Sequence, residues 1–309
     1  MKKTSRNLVL LLFITTLLCS YNGKAQDELN TTNPESELLV QYLEENGNFI
    51  NTEAPAIILA QEIKDNLKNK KYLVLDIRSE SWYAYGHIQN AKNIEGPELL
   101  NYFETKITPS EFDKITIVCY SGQSAAYYAS LLRIAGYNNV YNLKYGMSSW
   151  AEEFATNIWV KNSTNNFADK LETTPNTMPE NGALPIIKTG KIEKKEILKE
   201  RLNEAFSKPY KDFIVKAETV FENPSNFYIV NYVDEEKYNN GHIVGSVRYQ
   251  PKSSLSSTES LYTLPTNKKI LVSCMTGQSA AYVTAYLNIL GYDVSNLAYG
   301  ANSYMNSVL

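Results

Sequence analysis

The sequence predicts an α/β chain made of two similar domains, each a small parallel sheet flanked by helices. Three observations carry this reading. The stretch C-Y-S-G-Q-S-A-A-Y at Cys119–Tyr127 recurs as C-M-T-G-Q-S-A-A-Y at Cys274–Tyr282, with seven of nine positions identical. The same shift of 155 residues lays Gly86–Ile88 on Gly241–Ile243 (both G-H-I), Tyr72–Ile77 on Phe227–Tyr232, and Gly136–Tyr137 on Gly291–Tyr292. A repeat of that length is a whole domain rather than a solenoid unit. Within each copy, apolar strand-like runs alternate with helical patterns, as a parallel sheet requires.

Residues 1–25 read as an export signal. Lys2, Lys3 and Arg6 precede the apolar run Leu8–Leu18, and Gly23 and Ala25 supply small residues before Gln26. The run is short for a membrane span, and the rest of the chain has no second apolar segment long enough to cross a bilayer. An alternative is a lipoprotein anchor through Cys19, against which the large Leu18 stands. Export to a Gram-negative periplasm is the expected location. Losing the signal removes four positive residues and no acid, so the net charge of −3 becomes −7. There is no basic run or face, so nucleic acid is not an expected partner.

Without Cys19, two cysteines remain. They occupy equivalent places in two domains, which would normally hold them far apart, whereas a disulfide needs Cα atoms within about 7 Å. Both are therefore expected to be free thiols.

Residues 26–53 begin as a polar stretch and carry a helix at Glu35–Glu45, with Leu38, Leu39, Tyr42 and Leu43 on one face. Domain one is expected at 54–160. A linker at 161–190, with Pro175, Pro179, Gly182 and Pro185, leads to domain two at 191–309. A helix at Ile192–Phe206 opens domain two, so each domain has its own leading helix. In copy one, helical spacing covers Ile57–Leu67, and Tyr72–Asp76 is an apolar strand ending in a carboxylate. A helix at Ser79–Tyr85, the G-H-I turn, and a strand at Ile115–Val118 follow. The next helix is expected from Ser124 to Ala135 with Ser124 as its cap and Gly136 ending it, and then a strand at Val140–Leu143. Ser279 is the matching cap in copy two.

Cys119 and Cys274 each stand where a strand ends and a helix is about to begin. Successive backbone N–H groups and the positive end of the helix dipole converge there. The expected consequence is a lowered thiol pKa and a nucleophile.

These residues carry a family resemblance. D-I-R-S-E-S-W-Y-A-Y-G-H-I, the C-Y-S-G-Q-S loop, L-L-R-I-A-G-Y and L-K-Y-G-M-S-S-W resemble a rhodanese-like domain over roughly 54–155, and again over about 205–309. The resemblance implies sulfurtransfer: a loop cysteine takes a sulfane sulfur from a thiosulfate- or polysulfide-like donor, holds it as a persulfide, and passes it to a thiol or cyanide. It implies no metal or organic cofactor. The substrate loops would be Tyr120, Ser121, Gly122, Gln123 and Ser124, and Met275, Thr276, Gly277, Gln278 and Ser279, whose backbone N–H groups hold the anion. Ser121, Ser124 and Gln123 side chains would add hydrogen bonds. The loops are of the short type used for sulfur anions. Related phosphatases use a longer loop ending in arginine, and neither loop here contains arginine. That same absence departs from rhodaneses with a basic loop residue.

Copy one keeps the family's D-x-R as Asp76 and Arg78, where copy two has Asn231 and Val233. Cys119 is thus the expected main nucleophile and Cys274 a second candidate, with Asp76 and Arg78 as a supporting ion pair. His87 and His242 belong to turns, the cysteines and histidines make no zinc pattern, and Tyr127, Tyr128, Tyr282 and Tyr286 are core or interface. The rival reading is a non-catalytic docking or anion-sensing module with a protein partner. Thiol–disulfide redox work is a third, weakened by the lack of C-x-x-C.

Overall fold

A computed structural model describes residues 35–308; the expected export signal, Cys19 and the polar stretch after it lie outside the described residues. Copy one runs α1 (Glu35–Glu45), α2 (Phe49–Thr52), β1 (Ile57–Ile58), α3 (Ala60–Asp65), β2 (Tyr72–Asp76), α4 (Glu80–Tyr85), β3 (Lys92–Asn93), α5 (Leu99–Thr105), β4 (Lys114–Val118), α6 (Gln123–Ile134), β5 (Val140–Leu143) and α7 (Glu152–Phe154). After β6 (Leu171–Glu172), copy two follows as α8 (Lys194–Phe206), β7 (Ile214–Val215), α9 (Ala217–Glu222), β8 (Tyr228–Tyr232), α10 (Glu235–Asn239), β9 (His242–Ile243), β10 (Val247–Tyr249), β11 (Ile270–Ser273), α11 (Gln278–Ile289) and β12 (Val294–Leu297).

Each copy forms a five-stranded parallel sheet. The orders are β1-β5-β4-β2-β3 and β7-β12-β11-β8-β10, the same arrangement twice. The central strands are nearly continuous apolar runs because both faces are covered by helices. Tyr72 pairs with Lys114 and Asp76 with Val118, so β2 and β4 end together at one edge.

Two expected elements start elsewhere. Ile57 and Ile58 pair with Asn142 and Leu143 as an edge strand, and helix begins only at Ala60. β-branched residues beside an open sheet edge gain more from pairing than from helical spacing. Helix α6 begins at Gln123 with left-handed Gly122 (φ 85°) at its N-cap position, so Ser124 lies inside the first turn; Gly277 and Gln278 repeat this, which places Ser279 inside α11.

The linker is also more structured than its composition suggests. Leu171 and Glu172 pair antiparallel with Ile243 and His242, and Leu184 and Ile187 are buried in the core. The Glu172 carboxylate accepts from the Gly245 N–H (2.7 Å) and the Asn176 amide (2.6 Å).

Helices α6 and α11 lie against each other along their lengths, and one core cluster runs through both copies. Ser130 Oγ donates to the Tyr282 carbonyl (3.0 Å), and Asn288 Nδ2 donates to the Tyr127 hydroxyl (2.8 Å). Tyr127, Tyr128, Tyr282 and Tyr286 are buried here. The leading helix of the chain does not serve copy one alone: α1 packs on α8. Its Glu35 accepts from the Thr189 and Gly190 N–H groups, Glu44 from Ser257, and Glu37 from the Tyr262 hydroxyl.

Candidate active site

In both copies the loop wraps backbone donors around the cysteine sulfur. Cys119 Sγ accepts from Gly122 N–H (3.1 Å) and Ala125 N–H (3.4 Å). Cys274 Sγ accepts from Gly277 N–H (3.2 Å) and Ala280 N–H (3.3 Å). Ala125 and Ala280 are third residues of their helices, whose free N–H groups a capping side chain would ordinarily take. The sulfur does the capping that sequence reasoning gave to Ser124 and Ser279.

A second clamp comes from the turn after β5. The Cys119 carbonyl accepts from Met147 N–H (2.8 Å), and a Cβ on Gly146 (φ +56°) would stand 2.3 Å from that carbonyl oxygen. Gly300 repeats this at φ +55°, 2.0 Å from the Cys274 oxygen, with Ala301 N–H donating at 2.9 Å. The shared Y-G pair after each last strand is thus explained: only glycine lets the turn close on the cysteine.

The expected lowering of the thiol pKa is not found. Both cysteines are free and buried, with 1% and 4% of their surfaces exposed. Burial, which penalises the charged thiolate, pushes both thiols above the ordinary value. Hydrogen bonds to the sulfur pull the other way and do not outweigh it, with the Ser124 hydroxyl and loop N–H groups acting at Cys119 and loop N–H groups at Cys274. Sequence spacing located the donors but could not register how completely water is excluded.

Asp76 and Arg78 form the expected ion pair. Arg78 Nη2 lies 2.7 Å from Asp76 Oδ2 and donates to the Gly86 carbonyl (2.6 Å), and both side chains are essentially unexposed. Arg78 does not reach the sulfur. It underlies Tyr120 and Phe154, 5.9 and 5.1 Å from their ring centres. Asn231 and Val233 occupy the same buried place in copy two without an ion pair. The histidines are structural: His87 Nδ1 is 2.8 Å from the Tyr83 carbonyl and His242 Nδ1 is 2.8 Å from that of Tyr238, each ring stacked on its tyrosine. Among the described residues no three metal-ligating side chains cluster.

The other loop residues divide by side chain. Tyr120 leans outward, its hydroxyl 3.2 Å from Ser79 Oγ and its ring edge-on to Trp82 at 5.6 Å. Met275 packs into the core of copy two. Ser121 accepts from Gln123 Nε2 (3.0 Å) and Thr276 from Gln278 Nε2 (3.3 Å). The far ends of both glutamines leave their own loops: Gln123 Oε1 accepts from Tyr299 N–H (2.8 Å), and Gln278 Oε1 from Tyr145 N–H (3.0 Å). The two loops are therefore neighbours, not the remote pair expected. Sequence reasoning also missed Trp159, whose ring sits 4.8 Å from Tyr145 and 5.3 Å from Tyr299 and so bridges the two clamps. The only sequence signal for this was that both glutamines, and both tyrosines before the clamp glycines, survive in each copy.

Each copy is similar to a known domain family. The Rhodanese-like domain profile matches twice, at residues 59–153 and 219–307. Thiosulfate sulfurtransferase GlpE of Pseudomonas fluorescens (strain SBW25) is 31% identical over 98 residues, spanning 31% of this chain and 86% of that protein. GlpE of Pseudoalteromonas translucida (strain TAC 125) is 29% identical over 103 residues, spanning 33% and 93%. Among solved structures, a rhodanese-related protein from Thermoplasma volcanium is 29% identical over 31% of this chain and 90% of that one, with a TM-score of 0.27.

Proposed function

Since the chain belongs to the rhodanese-like domain family, we propose that it is a sulfurtransferase whose main nucleophile is Cys119. The observation that carries the sulfurtransferase reading is the pair of backbone N–H groups directed at the cysteine sulfur of each loop, and the buried Asp76–Arg78 pair, which copy two lacks, favours Cys119 as the main nucleophile. The Cys119 thiolate attacks the outer sulfur of a sulfane donor. With thiosulfate, the S–S bond breaks, its electron pair leaves with sulfite, and the cysteine becomes a persulfide. An acceptor thiolate then attacks the terminal sulfur, takes it as a new persulfide, and returns Cys119 to its thiolate. The N–H groups that cap the helix hold the negative sulfur at each stage.

The test is intact-mass measurement of the full chain after treatment with thiosulfate, and separately with polysulfide. A gain of one sulfur atom, lost in Cys119→Ser, supports the assignment; undiminished gain in that variant refutes it. Burial of both thiols favours a second reading, a docking or anion-sensing module, most of all for copy two, which lacks the Asp–Arg pair. No adduct on either cysteine with either donor would leave that reading standing.

A further inference from the structure

We propose that Gln278 is a positioning residue for the Cys119 site and Gln123 for the Cys274 site, so that each sulfur loop is completed by the other domain. Gln278 belongs to the loop of Cys274, yet its Oε1 accepts from Tyr145 N–H (3.0 Å) and Asn142 Nδ2 (3.3 Å), both in copy one. It fills the space beside Gly122, where a Cβ would lie 2.4 Å from it. Gly122 is the residue whose N–H donates to Cys119 Sγ, and Tyr145 immediately precedes the clamp glycine that closes on the Cys119 carbonyl. One amide thus ties together the loop, the end of β5 and the clamp of site one. Gln123 mirrors it through Tyr299 N–H (2.8 Å) and stands 2.4 Å from a Cβ on Gly277.

Both glutamines are almost fully buried, at 2% and 1% exposure. A methionine would fill the same volume without needing partners, whereas a buried amide demands its hydrogen bonds. The donors that satisfy each Oε1 lie across the domain boundary. Copy two is therefore part of site one whether or not Cys274 itself reacts.

The test measures alkylation of Cys119 by iodoacetamide between pH 7 and 10 in the full chain, with each cysteine read separately by peptide mass. The variants are Gln278→Met and Gln278→Glu. Gln278→Met, which removes the acceptor, should change the Cys119 rate about fivefold. Gln278→Glu keeps an acceptor for both donors, which guards against misfolding, and sets a carboxylate against the Gly122 backbone. It should raise the Cys119 midpoint by about 0.5–1 pH unit. If the Gln278 variants move only the Cys274 profile and leave that of Cys119 unchanged, the proposal is overturned. It builds on the cysteines as the reacting groups, but alkylation reads the thiol directly. Failure to take up sulfur would refute the sulfurtransferase reading and leave this test intact.

Discussion

Replacing Arg78 by valine, the residue copy two carries at the same place, isolates what the ion pair does. Asp76 and Arg78 have side-chain exposures of 1% and 0%. The Asp76 carboxylate accepts from Arg78 Nε, from Nη2 and from the Arg78 backbone N–H. Removing the guanidinium alone strands a buried carboxylate, which costs about 3–5 kcal/mol. Converting both residues to the copy-two solution, Asp76→Asn with Arg78→Val, removes the charge as well. What remains is the Gly86 carbonyl without its donor, about 1–3 kcal/mol. The double variant should thus be more stable than Arg78→Val by about 2 kcal/mol. Urea unfolding followed by tryptophan fluorescence is the assay, because Trp82, Trp150 and Trp159 all lie in or just after copy one. A double variant no more stable than the single one would refute the stranded-charge argument.

Four further outcomes are expected. Gly146→Ala should lower sulfur uptake or alkylation at Cys119 at least tenfold, since the new methyl meets the cysteine carbonyl and the φ of +56° costs about 1–2 kcal/mol without glycine; peptide mass after a timed reaction measures it, and an unchanged rate contradicts the clamp. Burial raises both thiols, so alkylation should reach its half-point above the free-cysteine value of about 8.5. The native state then holds the thiol protons more tightly than the unfolded chain. That contribution to stability is complete below about pH 8.5 and is lost as pH climbs through the raised folded value, so wild type should lose Tm more steeply from pH 8 to 10 than the Cys119→Ser, Cys274→Ser double variant; equal slopes would remove the argument. Glu172→Ala frees the Gly245 and Asn176 donors and should speed proteolysis within 163–190, with an unchanged cleavage rate showing that the β6 pairing does not depend on that carboxylate.

The parts of this fold that were legible in the sequence are those written locally. Tyr72–Asp76 and Ile115–Val118 read as buried strands because they are apolar and β-branched, and the repeat marked the two cysteine loops by identity alone. The illegible parts depend on what meets across space. Ile57 and Ile58 share helical spacing with the residues after them, and only the open edge of β5 draws them into the sheet. Ser124 has the right chemistry for a cap, but the cysteine sulfur reaches the Ala125 N–H first. The thiol shift followed the same rule. The donors around Cys119 are visible in the sequence, whereas the packing that removes water from it comes from distant residues. The crossing of Gln123 and Gln278 needed both domains in hand, since a loop glutamine beside a candidate anion site reads naturally as a ligand.

The pairing of α6 with α11 also has a consequence in time. Every residue of α6 except Ser124 is buried, and much of that cover comes from a helix encoded 155 positions later. At a synthesis rate of about 5–20 residues per second, the first copy waits roughly 8–30 s for its covering face. During that interval Tyr127, Leu131 and their neighbours are open to any other sticky chain nearby. A product cut short at residue 190 should never leave that state and should aggregate; a soluble, monomeric fragment would contradict this. The duplication has made the early half of the molecule a client of the late half.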